Sequence, residues 1–116
     1  MDHVLLAVPA GAEDALRAFY GGVLGMAELP EPPGLAGRGG CWFAAGSRVL
    51  HLGVQREFRP ACKAHPGITV TGIDALAARI EAHRSPVTWD GDLPGHRRFH
   101  AWDPVGNRLE FLERAR

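Results

Sequence analysis

The sequence has no excess of charge of either sign: thirteen Lys and Arg side chains are matched by thirteen Asp and Glu over 116 residues. Nucleic acids and anionic membranes are held largely by surplus basic charge, so neither is expected as a partner. Neutrality also leaves little repulsion between copies, which is compatible with self-association. Cysteine is scarce. Cys41 and Cys62 stand far apart and form no CxxC pair, which excludes a disulfide framework and suits a reducing compartment. No apolar run is long enough to span a bilayer. Residues 4–8 are apolar but follow Asp2 and His3 rather than a basic segment, so they read as a buried strand and not as a signal peptide. A cytoplasmic protein is expected.

What the chain does contain is one pattern written twice. Turn-rich stretches at Glu31-Pro32-Pro33-Gly34, at Arg59-Pro60 and from Asp90 to Gly95 punctuate it, and the middle one divides it almost equally. Residues 3–8 read as a strand and residues 12–24 as a helix whose buried stripe is Leu16, Phe19 and Tyr20. Gly25 suits the helix end. Strands at residues 40–45 and 48–54 flank a Gly46-Ser47 turn. The order returns after His65: a strand at residues 66–71, a helix capped by Asp74 with Leu76, Ala77 and Ile80 inward, a strand at residues 86–89, and a hairpin from residues 97–102 to 107–112. Each half reads β-α-β-β-β. The expectation is one α+β domain, residues 1–116, with modules of about 1–58 and 63–116.

The repeat aligns four potential metal ligands in pairs. His3 and His65 open their halves 62 positions apart, and His51 matches Glu110 at a spacing of 59. Side chains alternate faces along a strand, so each of these residues lies opposite its strand's aliphatic face: Val4, Leu6 and Val8; Leu50, Leu52 and Val54; Ile68 and Val70; Leu109 and Phe111. A sheet covered by helices on one side leaves such residues on its open face. Three imidazoles and a carboxylate suit a divalent Zn, Ni, Co, Fe or Mn ion without choosing among them. Each residue alone also fits an ordinary role. His3 could be a surface or capping residue, His51 a neutral core imidazole, His65 a loop residue, and Glu110 an outward polar group or the partner of Arg108.

Around these, alternation groups Arg98, His100 and Trp102 on one face, with Trp42 and Phe43 expected to add bulk nearby. His100 reads as a ligand-supporting group or a general acid/base, since imidazole titrates near neutrality. Arg38, before Gly39-Gly40, could hold a substrate carboxylate at a pocket mouth or simply be solvated. Cys41 reads as a small buried hydrophobe.

Asp2-His3-Val4, Ala18-Phe19-Tyr20 with Val23-Leu24-Gly25-Met26, and Asp103-Pro104-Val105-Gly106-Asn107-Arg108-Leu109-Glu110 resemble the vicinal oxygen chelate superfamily over nearly the whole chain. That superfamily includes glyoxalase I, fosfomycin-resistance transferases, extradiol dioxygenases and bleomycin-resistance proteins. The resemblance implies two βαβββ modules forming a curved mixed sheet around a concave pocket, helices on the outer face, and a homodimer. It also implies metal ligands at His3, His65 and Glu110, with His51 standing where glyoxalase I has a carboxylate. Glu110 is then the one carboxylate of the four and the expected proton-handling group. On this reading the protein is a metal-dependent lyase, isomerase or transferase acting on a small oxygenated substrate. The rival is a bleomycin-resistance-like binding protein that uses Trp42, Phe43 and Trp102, although such proteins tend to be acidic and this chain is neutral.

Overall fold

Each half of the chain is closed by a parallel ladder between its first and last strands, in a computed structural model that describes residues 1–115. The first half runs β1 (His3–Val8), α1 (Glu13–Leu16) continuing into a π-helical segment (Arg17–Val23), β2 (Glu28–Leu29), a 3-10 turn (Ala36–Arg38), β3 (Cys41–Ala45) and β4 (Arg48–Val54). The second runs β5 (Gly67–Thr69), α2 (Ile73–Ala82), β6 (Val87–Asp90), β7 (His96–Trp102) and β8 (Arg108–Arg114). The sheets have the orders β1-β4-β3-β2 and β5-β8-β7-β6. In each, the first strand is parallel to the fourth and the remaining pairs are antiparallel. This is the α+β pair of βαβββ modules that the sequence pattern predicts. The chain forms two compact units, Met1–Pro60 and Ala61–Arg116.

In the first unit Leu16, Phe19 and Tyr20 are fully buried. Tyr20 meets Phe43 with ring centroids 5.7 Å apart, and Leu50 and Leu52 complete that face. The helix differs from expectation in type. Past Leu16 it widens into π geometry, where Gly21-Gly22 has weak intrinsic preference for a regular helix. The short β2 is the strand that the β-α-β-β-β repeat requires of this half but that no run of residues marks; it exists as the partner of Trp42 and Phe43 on β3.

In the second unit α2 packs on β6, β7 and β8 through Ile73, Leu76, Ala77 and Ile80. Asp74 does not cap it. Gly72, in the left-handed region at φ 77°, is the cap position. The Glu113 carboxylate accepts from Gly72 N–H at 2.8 Å and Ile73 N–H at 3.3 Å. Asp74 instead pairs with Arg97. The cap thus comes from the last strand, beyond the reach of a local rule.

The β7–β8 hairpin is set by Asp103. Its buried carboxylate accepts from the N–H groups of Val105 at 3.1 Å and Asn107 at 2.8 Å, and Asn107 Nδ2 donates to it at 3.2 Å. Gly106, at φ 93°, supplies the turn's left-handed residue. These bonds fix the β7–β8 register, in which His100 stands directly opposite Glu110.

Cys41 is buried and Cys62 exposed. Burial pushes the Cys41 thiol up from 9.0 to about 11. Iodoacetamide at pH 8 should therefore label Cys62 in the native protein and Cys41 only after denaturation, as peptide mass spectrometry would report. Because the native value is raised, the stabilising contribution of the neutral thiol is complete below 9.0 and is lost as pH rises towards about 11. Equal labelling of both thiols in folded protein would refute this.

Candidate metal centre

The second unit gathers three donors on one face of its sheet. β8 alternation puts Leu109 and Phe111 in the core and Glu110 on the opposite face. β7 places His100 across from it, and the loop before β5 brings His65 alongside. His65 Nε2 lies 2.8 Å from Glu110 Oε1, and His100 Nε2 lies 3.6 Å from the same oxygen. One ligand atom from each residue falls within 4.8 Å of the others. Ligands about 2.0–2.2 Å from a common ion are separated by roughly 3 Å at right angles and more at wider angles. The spacing fits a shared cation.

Hydrogen-bond chemistry supports the same fit. His65 Nδ1 is 2.6 Å from the carbonyl oxygen of Lys63 while Nε2 faces the Glu110 carboxylate. Both ring nitrogens therefore face acceptors, but a neutral imidazole has one N–H. With that N–H given to the carbonyl, the Nε2 lone pair and a carboxylate oxygen point at one another, an arrangement that a proton or a metal ion completes. Orientation of a ligating imidazole by a backbone carbonyl is the usual outer-shell device.

Arg98 holds the carboxylates in place. Its guanidinium donates to Glu110 Oε2 at 3.2 Å and to Asp90 Oδ2 at 2.9 Å. Burial raises the proton affinity of Glu110, but a hydrogen bond from His65, in the form whose Nε2 carries the proton, and the hydrogen bond from Arg98 outweigh it and hold the carboxyl below 4.5. Glu110 is thus anionic at neutral pH. His100 has its pKa lowered, first by burial and then by the nearby Arg108 charge, which favours the neutral, lone-pair-bearing ring that a metal requires.

The first unit presents a different cluster. Trp42 stands opposite His51 in the β3–β4 register, and their rings stack with centroids 3.7 Å apart and planes within 4°. His3 stacks on His51 at 4.1 Å and 12°. His3 Nδ1 also pairs with Asp2 at 3.0 Å. The pKa of His51 is lowered by burial and then by His3.

The remaining expected site residues divide. Phe43 lies in the core of the first unit. It neighbours Trp42 on one strand, so it faces the other way, and it is fully buried on the core face. Arg98 is engaged by Glu110 and Asp90 and positions them, rather than standing open to a ligand. Arg38 is exposed at the end of its 3-10 turn. Trp102 is half-buried and paired with Arg108 across the hairpin. Glu110 does not pair with Arg108, because Arg98 takes that place. From the sequence, His100 reads as a ligand-supporting group or a general acid/base. Its ligand-distance approach to Glu110 was legible in principle, since hairpin register and alternation together place the two opposite one another.

Among solved structures the chain is similar to a protein assigned to the glyoxalase family from Bacillus anthracis. The two are 43% identical, the match covers 99% of this chain and 94% of that one, and the TM-score is 0.95. The fold is also shared with a lactoylglutathione lyase from Agrobacterium tumefaciens at 24% identity, with coverage of 97% and 92% and a TM-score of 0.74. An antibiotic-binding protein from Streptomyces matches at 22% identity, with coverage of 99% and 98% and a TM-score of 0.75. No protein-family model and no curated protein matches. The architecture is that of the vicinal oxygen chelate superfamily. Within it, the chain belongs to the glyoxalase family. No helix among the described residues is long and apolar enough to cross a membrane.

Proposed function

We propose that the protein is a divalent-metal-dependent lyase, isomerase or transferase acting on a small oxygenated substrate. The observation that carries this reading is the convergence of His65, His100 and Glu110 on one face. These three residues would hold the ion. When bound, a divalent cation supplies Lewis acidity to neighbouring substrate oxygens. The chain's own contribution is to keep Glu110 anionic through Arg98, to orient His65 through the Lys63 carbonyl, and to keep His100 neutral by burial. His3 and His51 are proposed as further donors on the strength of the sequence pairing alone. The two modules are proposed to act as a single domain, a homodimer is proposed on the family resemblance, and a cytoplasmic location on the two unpaired cysteines.

A second reading is sequestration of a flat aromatic compound without chemistry. The Trp42–His51–His3 stack favours it, because half-buried Trp42 and exposed His3 terminate a run of parallel ring faces. Metal analysis of untagged protein separates the two readings. The enzyme reading expects about one divalent ion per chain, lost in His65→Ala and His100→Ala, whose folds should persist by circular dichroism because both sites are at the sheet face. Metal-free wild type after equilibration with Zn, Ni, Co, Fe and Mn would reject it in favour of the binder.

A further inference from the structure

The face that carries the metal donors also carries an unused cation. Arg108 precedes Glu110 by two residues, so alternation puts both side chains on the same side of β8, in a register that the Asp103 turn fixes against β7. Arg108 stands opposite Trp102, next in the face's row to the His100–Glu110 pair. The carboxylates at hand are Glu110 and Asp90, and Arg98 engages both. Arg108 is half-buried, its Nε is buried without a hydrogen-bond partner, and its side chain makes no hydrogen bond or ion pair among the described residues. Arg98 Nε is likewise unpartnered, but the terminal nitrogens of Arg98 are committed.

A guanidinium held partly out of water with its inward N–H unsatisfied is an unfavourable arrangement unless something completes it. The planar fork of arginine matches the paired oxygens of a carboxylate or phosphoryl group. Counting fixed charges on this face, Arg98 and Arg108 balance Asp90 and Glu110. A divalent ion on the His65–His100–Glu110 cluster would leave the face positive by two. A neutral substrate would not answer that surplus, whereas an oxyanion would.

We propose that Arg108 binds the oxyanion group, carboxylate or phosphoryl, of a small substrate whose other oxygens lie towards His65, His100 and Glu110. The inference deepens the proposed function and rests on its assignment of this face as the binding face. It makes Arg108 a substrate-binding residue that selects acids over neutral carbonyl compounds.

The test uses full-length protein stripped of metal with a chelator, labelled with 15N-arginine and titrated separately with oxalate, inorganic phosphate and chloride. Arg108 Nε should shift saturably with oxalate or with phosphate, and the tighter of the two identifies the carboxylate or phosphoryl class. Arg108→Gln should weaken that binding at least about tenfold, and Arg108→Lys, a point charge without the fork, should retain part of it. An Arg108 Nε that responds no more to either oxyanion than to chloride would overturn the proposal. So would wild-type affinity in folded Arg108→Gln. The wild-type Nε titration alone decides the matter if the variant does not fold. Failure here with stoichiometric metal retained would count against the oxyanion alone. Oxyanion binding without metal uptake would count against the metal reading alone.

Discussion

Gly40→Ala should lower stability by roughly 3 kcal/mol or more, a large share of the ~5–15 kcal/mol typical of a domain. Two independent effects add at this position. Gly40 has φ 84°, a conformation that costs an L-residue about 1–2 kcal/mol. A Cβ there would also lie 2.1 Å from the carbonyl oxygen of Leu52, a backbone atom that cannot swing aside as a side chain would. Relief requires displacing β4 at the residue beside His51, in the core of the first sheet. Thermal unfolding followed by circular dichroism should show Tm falling by ~10 °C or more. Gly46→Ala is the control: Gly46 is also left-handed at φ 62°, but an added Cβ meets nothing within 4 Å. Its loss should stay near 1 kcal/mol, the conformational part alone. Equal losses in the two variants would refute the clash.

The second large effect is expected at Glu110. Glu110→Gln keeps the shape of the side chain but removes its charge, so divalent-metal affinity should fall beyond the roughly 10–100-fold that loss of an outer-shell partner causes. Competition with a chromogenic chelator would measure it. Stability should respond as well, since Arg98 then faces a neutral amide in place of an anion at a site where the Glu110 side chain is 11% exposed. The pH dependence follows from the direction of the shift. The native carboxyl titrates below its ordinary value of 4.5, so its contribution is fully present above 4.5 and is lost as pH falls through the lower native value. Glu110→Gln should remove that part of the acid slope in the unfolding midpoint. Unchanged metal affinity would exclude Glu110 as a ligand.

Features governed by short-range alternation and helical spacing were legible in the sequence. Leu16, Phe19 and Tyr20 are buried as their spacing requires, and Leu109 and Phe111 oppose Glu110. Features decided by a distant partner were not. Asp74 has the local chemistry of a helix cap, but the Glu113 carboxylate caps α2 and Asp74 goes to Arg97. The β2 strand exists through its pairing with β3. Phe43 follows Trp42 directly on β3, so the two side chains take opposite faces and Phe43 joins the core. At the site, the family resemblance pairs His65 with Glu110, but His65 stands on a loop whose course residue spacing does not set. The engagement of Arg98 with both carboxylates depended on the β6–β7 register, which residue spacing alone leaves undetermined.

The parallel ladders carry a consequence for how the chain acquires its shape. β1 waits for β4 and β5 waits for β8, so each half must close a loop spanning most of its own length before its opening strand finds a neighbour. Such closure is entropically late and slow compared with hairpin formation. Glu110 lies on β8, the strand that the β7 hairpin and the β5 ladder share. The Glu110 carboxylate therefore meets His100 when the local hairpin zips and meets His65 only when the slower parallel closure is complete.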